Sequence, residues 1–400
     1  MVLADQAVFS GGSFVLSLAL AQLLSISDFG LFSALVLGSY LVMSIANAVV
    51  IQPFQVLVST FSDQKDYPVF ALLGHSILVF TILGLLLLIS RLPFFQEYLP
   101  DSISAVSLTW LGGFLFQDFF RKAFLAMGKP WLTLITDVLA IGFQLCTIGY
   151  FLLHPGIALP VLLFWLGMAY IPSVLTGFLL FPKMEICSRN WSGYLRLHLS
   201  QGGWMLLTAL LQWGSNNLFT VASGVYIGVE ALGAFRLVQS LFGILNMIFQ
   251  TFENHLLPEA TRLFHSSAEQ SKAYLKASFK QTSLPLLLAL VFLFLFSKEV
   301  IVLAGGQKFE VYHYVVKGMS ILYGIILIGY PVRLAIRMMT LNQIFFTGYL
   351  FSFAFSLLSF QFLLGQFQLW GALAGLLFNQ LIMLIFWNHS LTKRQFILWK

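Results

Sequence analysis

The sequence predicts an all-α, polytopic membrane protein, and three observations support this fold class. Of the 400 residues, 59% are hydrophobic and 9% are charged, which leaves too little polar surface to cover a water-soluble globule. The apolar residues form runs of about 20, the length that an α-helix needs to cross the ~30 Å hydrocarbon core of a bilayer. Runs such as Leu85-Leu86-Leu87-Leu88-Ile89 are continuously apolar rather than alternating, which excludes a transmembrane β-barrel.

Polar residues, prolines and glycines divide the apolar sequence into two groups of six predicted spans. We predict an N-terminal six-helix lobe over 1–185, a cytoplasmic connector over 186–198 and a C-terminal six-helix lobe over 199–400. The predicted spans are 5–24, 31–60, 69–91, 102–127, 131–153 and 157–181 in the first lobe, and 199–222, 230–257, 283–297, 313–339, 343–365 and 368–390 in the second.

The distribution of Lys and Arg predicts the topology. Most of the 21 basic residues fall after even-numbered spans or in the C-terminal tail, whereas only Arg91, Lys298, Lys308 and Lys317 follow odd-numbered spans. Because basic residues concentrate in cytoplasmic loops, both termini and the even connectors are predicted to be cytoplasmic.

The two groups of spans are similar to one another. Phe29-Gly30-Leu31-Phe32 at the entry to span two resembles Leu232-Gly233-Ala234-Phe235 at the entry to span eight. Spans four and ten also match near their ends, with Arg121, Ala123 and Met127 in one and Arg333, Ala335 and Met339 in the other. Because each group holds an even number of spans, the halves have the same orientation and are predicted to be related by an axis along the membrane normal.

Short stretches in both halves also carry a resemblance to other proteins. They are Asp5-Gln6-Ala7-Val8-Phe9-Ser10-Gly11, Ser27-Asp28-Phe29-Gly30-Leu31-Phe32, Val50-Ile51-Gln52-Pro53-Phe54, Phe235-Arg236-Leu237-Val238-Gln239-Ser240 and Phe252-Glu253-Asn254-His255-Leu256-Leu257-Pro258. These stretches resemble the polysaccharide biosynthesis and O-antigen flippase-like family of the multidrug/oligosaccharidyl-lipid/polysaccharide exporter superfamily. That superfamily also holds the lipid II flippase and the multidrug and toxic compound extrusion antiporters.

The resemblance implies two six-helix bundles that face each other around a cavity opening alternately to either side. It implies a flippase of the bacterial cytoplasmic (inner) membrane, not an enzyme, which moves a lipid-linked oligosaccharide or polysaccharide precursor on an undecaprenyl-type diphosphate. The expected partners are the lipid bilayer, the lipid-linked glycan, and a glycan polymerase or export machinery. We expect no nucleic acid partner.

Basic side chains inside the spans are the candidates for binding the anionic head of such a substrate. A diphosphate that crosses hydrocarbon requires a water-accessible cavity with cations to hold it. We predict this role for Arg121, Arg333, Arg337, Arg236 and Lys122. The alternative is that the four residues near predicted cytoplasmic helix ends extend to the interface and only set topology, which does not apply to Arg236 inside span eight.

Four acidic residues inside the spans are candidates for coupling to an ion gradient: Asp137, Asp118, Asp5 and Glu253. Asp118 is three residues before Arg121 and four before Lys122, so it is predicted to form an ion pair with one of them. Asp137 has no basic residue within helical reach in its own span. We therefore expect either a partner on another helix or a proton- or sodium-binding role for Asp137.

Amide side chains provide candidates for lining the cavity and binding sugar hydroxyls: Gln52, Gln117, Gln212, Asn216 and Asn217. Hydrogen bonding between helices would account for the same residues equally well. His75 and His255 belong to no His/Cys cluster, and no P-loop occurs, so we predict no metal and no cofactor.

Two other functions are compatible with parts of this sequence. A cation-coupled multidrug or metabolite exporter would use the same scaffold, but such a protein favours acidic residues in its cavity. An integral-membrane glycan-processing enzyme or assembly partner generally needs acid/base residues on a sizeable loop near the interface. The longest connectors here are only about 25 residues, little more than the length of one helical span. They carry no paired carboxylates.

Overall fold

The computed structural model describes residues 2–61, 64, 66–92, 101–154, 156–182 and 190–398. Within these ranges the chain is helical and contains no β-strand, so the predicted all-α class is confirmed. The helices are α1 (Val2–Leu23), α2 (Ile26–Ala46), α3 (Gln52–Leu57), α4 (Asp66–Ser90), α5 (Asp101–Ala126), α6 (Pro130–Leu153), α7 (Leu159–Met168), α8 (Ile171–Leu180), α9 (Trp191–Tyr226), α10 (Val229–Ser266), α11 (Ala268–Leu295), α12 (Ser297–Gly305), α13 (His313–Met338) and α14 (Asn342–Thr392).

Ten helical segments of the described chain are long and apolar enough to cross a membrane. One of them, α14, has a non-helical residue at Gln368 (φ 49°), which divides its 51 residues into two spans. The helix α9 is more polar, but its 36 residues also exceed the length of a span. The chain is therefore a multi-pass membrane protein with about twelve crossing helices in the described ranges, as the sequence predicts.

Several helix limits differ from the prediction, as two examples show. The helix α9 begins at Trp191, inside the predicted connector 186–198, and α10 continues to Ser266, beyond the predicted end of span eight at 257. The part of the connector before residue 190 lies outside the described residues. Polar residues occupy both extensions, so apolar sequence alone locates the part of a helix that lies in hydrocarbon and not its true end.

Prolines and glycines fix several of the helix limits. Pro130 stands at the first position of α6, where a missing N–H costs nothing and the fixed φ suits a helix. Gly128, Gly228 and Gly306 have φ values of 71°, 129° and 86° in the turns between helices. These conformations are strained for residues with a Cβ, so glycine permits the turns at little cost.

The chain divides into two compact units, each with its own aromatic core. The first comprises Met1–Leu24 and Leu35–Leu210, and the second comprises Ser25–Ala34 and Leu211–Lys400. Fully buried rings of the first unit include Phe119 and Phe120, and those of the second include Phe235 and Phe242. The division falls inside α2 and α9, and the lobe limits proposed from the sequence, 1–185 and 199–400, stay a prediction.

Two glycines from the matching sequence stretches bring α2 and α10 into backbone contact within the second unit. A Cβ on Gly30 would lie 2.0 Å from the carbonyl oxygen of Val229, and a Cβ on Gly233 would lie 3.0 Å from Cα of Gly30 and 3.2 Å from the oxygen of Ile26. The contact is reciprocal, because each glycine meets the residue four positions before the other. The backbones of the two helices approach this closely because neither glycine has a side chain, and the predicted repeat stays a prediction.

Replacing Gly30 with alanine is expected to destabilise the protein by about 1–3 kcal/mol, because the added methyl has no space beside Val229. The matched control is Gly38→Ala on the same helix, where no atom lies within 4 Å of the added Cβ. That control should be neutral or stabilising by up to about 1 kcal/mol from helix propensity. Thermal unfolding of both purified variants measures the difference, and equal melting temperatures would contradict the close packing.

Candidate functional site

A buried arginine connects three helices of the first unit. Arg121 Nε on α5 donates to Asp137 Oδ2 on α6 at 2.8 Å, and its Nη2 lies 3.2 Å from Asp5 Oδ2 on α1. Gln117, one turn before Arg121, donates to the other oxygen of Asp137 at 2.6 Å. The partner of Asp137 therefore lies on another helix, one of the two outcomes expected from the sequence.

Two further residues of α1 complete the surroundings of this arginine. Gln6 Oε1 accepts from Arg121 Nη2 at 3.2 Å, and the ring of Phe9 lies with its centroid 4.0 Å from the guanidinium carbon. Cation–π contact of this kind adds to hydrogen bonding when the cation is removed from water. We call Arg121, Asp5, Asp137, Gln6 and Gln117 the Arg121 cluster.

The Arg121 cluster contains more carboxylates than cations. Asp5 and Asp137 have 1% and 0% of their surface exposed, and Arg121 is the one basic residue among these five. With all three groups ionised, the cluster carries one excess negative charge, which is costly in a low-dielectric interior. Asp5 Oδ1 is buried and accepts no hydrogen bond among the described residues. The cluster therefore holds one carboxylate charge that its own cation does not balance.

A second ion pair lies next to the Arg121 cluster. Lys122 Nζ donates to Asp118 Oδ2 at 2.8 Å, four residues earlier on α5, so the predicted pairing of Asp118 is observed with Lys122. The same ammonium donates to Asn47 Oδ1 at 2.8 Å. Asn47 begins a π-helical stretch, Asn47–Ile51, between α2 and α3. Such stretches often occur at functional positions.

The second unit contains the opposite arrangement of charges. Arg333 and Arg337, one turn apart on α13, both face Glu253 on α10. Glu253 Oε1 pairs with Arg337 Nη1, and its Oε2 lies 3.9 Å from Arg333 Nη2. Two guanidinium groups share one carboxylate here, so these three residues carry one excess positive charge. We call Arg333, Arg337 and Glu253 the Arg333 cluster.

The cations of the Arg333 cluster are accessible, unlike that of the Arg121 cluster. The side chains of Arg333 and Arg337 are 42% and 40% exposed, against 11% for Arg121. Arg333 Nε is buried and has no hydrogen-bond acceptor in the described part of the chain. A buried N–H without an acceptor is rare and unfavourable, so this donor is suited to an oxygen of an anionic ligand.

The fifth predicted cation, Arg236, lies in a separate hydrogen-bond network. Arg236 is on the second turn of α10, where its Nη1 donates to Gln239 Oε1 at 3.0 Å. Gln239 in turn donates to Thr220 Oγ1 on α9 at 2.9 Å. The structure places Arg236 inside a helix that crosses the membrane, in agreement with its predicted location.

The predicted amides have different surroundings. Gln117 belongs to the Arg121 cluster, whereas Gln52 is exposed at the start of α3. Gln212, Asn216 and Asn217 lie on the second half of α9, and Asn217 donates to the carbonyl of Trp213 at 2.9 Å. A role for these amides in binding sugar hydroxyls stays a prediction.

The fold is similar to that of several solved membrane transporters. An inward-facing multidrug resistance MATE family transporter of the MOP superfamily aligns with a TM-score of 0.67 and 14% identity over 98% of this chain and 94% of its own. Lipid II flippase MurJ, in an inward closed conformation, aligns with a TM-score of 0.68 and 13% identity over 99% of this chain and 89% of its own.

A MOP superfamily transporter from Pyrococcus furiosus, described as having a reversed polarity of its binding pocket, aligns with a TM-score of 0.65 and 13% identity over 98% of this chain and 93% of its own. No family model matches this chain, and no curated protein matches its sequence. At these identities the likeness establishes the fold: an all-α membrane protein built from two six-helix bundles. Substrate and mechanism need arguments from this chain's own residues.

Three contributors to the site were missed by sequence reasoning. Gln6 and Phe9 contact Arg121, and Asn47 contacts Lys122. Phe9 follows Gln6 by three residues and Asp5 by four, and residues at these spacings are neighbours on a helix surface, so the spacing offered a signal. Asn47 offered none, because the π-helical stretch changes which side chains face α5.

Replacing Arg121 with glutamine is expected to destabilise the protein by about 3–5 kcal/mol, because two carboxylates would then be buried without a cation. Asp5→Asn, which removes the excess charge and leaves the Arg121–Asp137 pair, should change the stability by less than about 1 kcal/mol. The double variant Arg121→Gln/Asp5→Asn should recover part of the loss. Thermal unfolding of the purified variants measures these differences, and equal effects of the two single changes would refute the charge balance described here.

Proposed function

We propose that this chain is a flippase that moves a lipid-linked oligosaccharide or polysaccharide precursor across the bacterial cytoplasmic membrane by alternating access. The observation that carries this proposal is the Arg333 cluster, in which two accessible arginines share one glutamate. Arginine binds phosphate oxygens through paired, charge-assisted hydrogen bonds, and a diphosphate needs more than one cation. Both termini are proposed to be cytoplasmic.

The fold supports a transporter, since structures with this architecture include a multidrug transporter and a lipid II flippase. The choice between these substrate classes depends on the charge of the binding residues. A site for a cationic drug would need excess negative charge, and the Arg333 cluster carries the opposite excess. An integral-membrane enzyme is disfavoured by the same comparison of folds.

The other predicted cations have supporting roles in this proposal. Arg121 and Lys122 already pair with acids of the same unit, so an anionic head would have to displace or extend those contacts. Arg236 Nη1 donates to the amide oxygen of Gln239 in the separate network of α9 and α10. We therefore propose Arg333 and Arg337 as the first contacts of the head, and Arg236, Arg121 and Lys122 as residues that act later in transport.

The Arg121 cluster is proposed to couple transport to an ion gradient. One proton or small cation bound at Asp5 and Asp137 would balance the excess carboxylate and satisfy Asp5 Oδ1. Occupancy would thus change the attraction between α1, α5 and α6, which is the kind of difference that can bias two conformations. Asp118 has a lysine of its own and Glu253 faces two arginines, so neither site carries an excess carboxylate, and both acids rank behind Asp5 and Asp137 for this role.

The same cluster supports the second candidate function, a cation-coupled multidrug or metabolite exporter. Such a protein would use Asp5 and Asp137 for coupling and would not need the excess positive charge of the Arg333 cluster. The two functions therefore make different demands on the two clusters, and variants of each cluster distinguish them.

Cells that lack the wild-type protein and express the double variant Arg333→Gln/Arg337→Gln are expected to accumulate lipid-linked glycan on the cytoplasmic face of the membrane. Loss of two charge-assisted contacts of about 1.5–3 kcal/mol each should slow flipping at least about tenfold. The measurement is the amount of lipid-linked glycan, and its accessibility from each face, at matched expression of each variant.

Arg262→Gln is the matched control, because Arg262 lies on α10, is 72% exposed and pairs only with the neighbouring surface residue Glu259 in its hydrogen bonds. This variant should clear glycan lipids like the wild type. Normal amounts of glycan lipid in cells with the double variant, together with loss of drug resistance, would contradict the flippase function and favour the exporter function.

Replacing Asp5 with asparagine is expected to abolish the response of transport to an imposed proton or sodium gradient, because the variant lacks the excess carboxylate but keeps the Arg121–Asp137 pair. Gradient-driven transport by reconstituted protein is the measurement, and Asp66→Asn provides a control acid at the start of α4. A full gradient response in Asp5→Asn would move the coupling site elsewhere.

A further inference from the structure

Three lysines at intervals of four residues lie near the start of α11, and the first of them is used within the protein. Lys272 Nζ donates to Glu269 Oε1 at 2.7 Å and to the backbone carbonyl of Gln395, in the C-terminal tail, at 3.0 Å. The same ammonium lies 5.3 Å from the centroid of the Phe396 ring, and only 14% of the Lys272 side chain is exposed. Lys272 therefore connects the tail to α11 and has little surface left for a ligand.

The other two lysines, Lys276 and Lys280, are available for contacts outside the protein. Both residues are exposed, and neither ammonium forms an ion pair or a hydrogen bond with the described part of the chain. The buried residues of this part of α11 are Ser271, Leu275 and Ser278, on a different face of the helix. Residues four apart lie about 6 Å from each other on one helix face, so both ammonium groups can reach a single phosphate.

The exposed face that carries these two lysines continues directly into an apolar surface. Leu284 and Leu288 follow Lys280 at the same spacing of four, and each is 61% exposed. The helix α11 is long and apolar enough to cross a membrane, so its exposed leucines contact acyl chains. Lysine side chains near the end of such a helix extend to the headgroups. The change from leucine to lysine within one turn therefore marks the boundary between acyl chains and headgroups.

The positive charge of Lys276 and Lys280 is not balanced by acids of the neighbouring segments. Three acids occur between residues 252 and 282, and each already contacts a basic side chain: Glu253 in the Arg333 cluster, Glu259 with Arg262, and Glu269 with Lys272. The tail that Lys272 contacts adds Lys393 and Arg394 and no acid over 393–398. The complement of this surface is an anionic one, which negatively charged phospholipids supply at the cytoplasmic leaflet.

We propose that Lys276 and Lys280 bind the phosphate of an anionic phospholipid in the leaflet around the start of α11, while Leu284 and Leu288 contact its acyl chain. This lipid is a resident of the bilayer and not the transported molecule, so the proposal goes beyond the flippase function and does not depend on it. A free phosphate ion would gain nothing from the two leucines. The bound lipid anchors the start of α11, and the tail that Lys272 contacts, at the membrane surface.

The test is lipid binding to the purified full-length protein in a neutral detergent, measured by native mass spectrometry. The probes are phosphatidylglycerol, which is anionic, phosphatidylcholine with the same acyl chains, which has no net charge, and inorganic phosphate, which has no chain. Wild type should bind phosphatidylglycerol at least about tenfold more tightly than phosphatidylcholine, because each lysine near a membrane surface adds attraction to anionic lipid. Excess inorganic phosphate should leave the phosphatidylglycerol bound.

The double variant Lys276→Gln/Lys280→Gln should lower the affinity for phosphatidylglycerol about tenfold and leave that for phosphatidylcholine unchanged. Unchanged binding of phosphatidylcholine also shows that the variant is folded. Lys276→Arg/Lys280→Arg keeps both charges and should retain the preference for phosphatidylglycerol. The matched control is Lys129→Gln/Arg196→Gln, which removes the same charge from two exposed residues that the predicted topology places on the same side of the membrane. This control should bind both lipids like the wild type.

Several results would overturn the lipid site. Equal affinities of the wild type for the two lipids would show that the lysines select no charge, and displacement by inorganic phosphate would indicate a site for a free anion. Equal losses in the test and control variants would mean that the lysines contribute only to overall charge and topology. Loss of the preference in Arg333→Gln/Arg337→Gln instead would assign the phospholipid to the Arg333 cluster.

Discussion

The energetic cost of burying charge is the constraint on which this structure depends, because an ion buried without a partner costs several kcal/mol. Arg121 meets the constraint by contacting acids on α1 and α6 from its position on α5. One guanidinium thereby fixes the rotation of three helices about their axes. Apolar packing defines rotation less sharply, since lipid chains and side chains such as Phe120 are similarly apolar.

The matching arginines of the two predicted halves have different surroundings. Arg121 and Arg333 occupy equivalent places in sequence, yet the first is enclosed by two acids and the second shares one acid with Arg337. The first unit therefore holds a closed, acid-rich cluster and the second an open, base-rich one. The two matching glycines, Gly30 and Gly233, differ from the arginines in that they contact each other directly.

Much of the fold could be predicted from the sequence, because the length and polarity of apolar runs follow directly from bilayer thickness. The pairing of Asp118 with Lys122 was predictable for a similar reason, since helical spacing is fixed. The contact of Arg121 with Asp137 was not, because it joins separate helices whose relative rotation depends on packing.

The π-helical stretch Asn47–Ile51 has a consequence for the length of this part of the chain. A π-turn contains one residue more than an α-turn, so everything after it is rotated by about 100° relative to an uninterrupted helix. Deleting one residue there would restore a regular helix but turn Pro53 and Phe54 away from their buried positions. Insertions and deletions in this span therefore change the direction in which the following side chains face. Substitutions that retain Asn47 and the apolar face leave that direction unchanged.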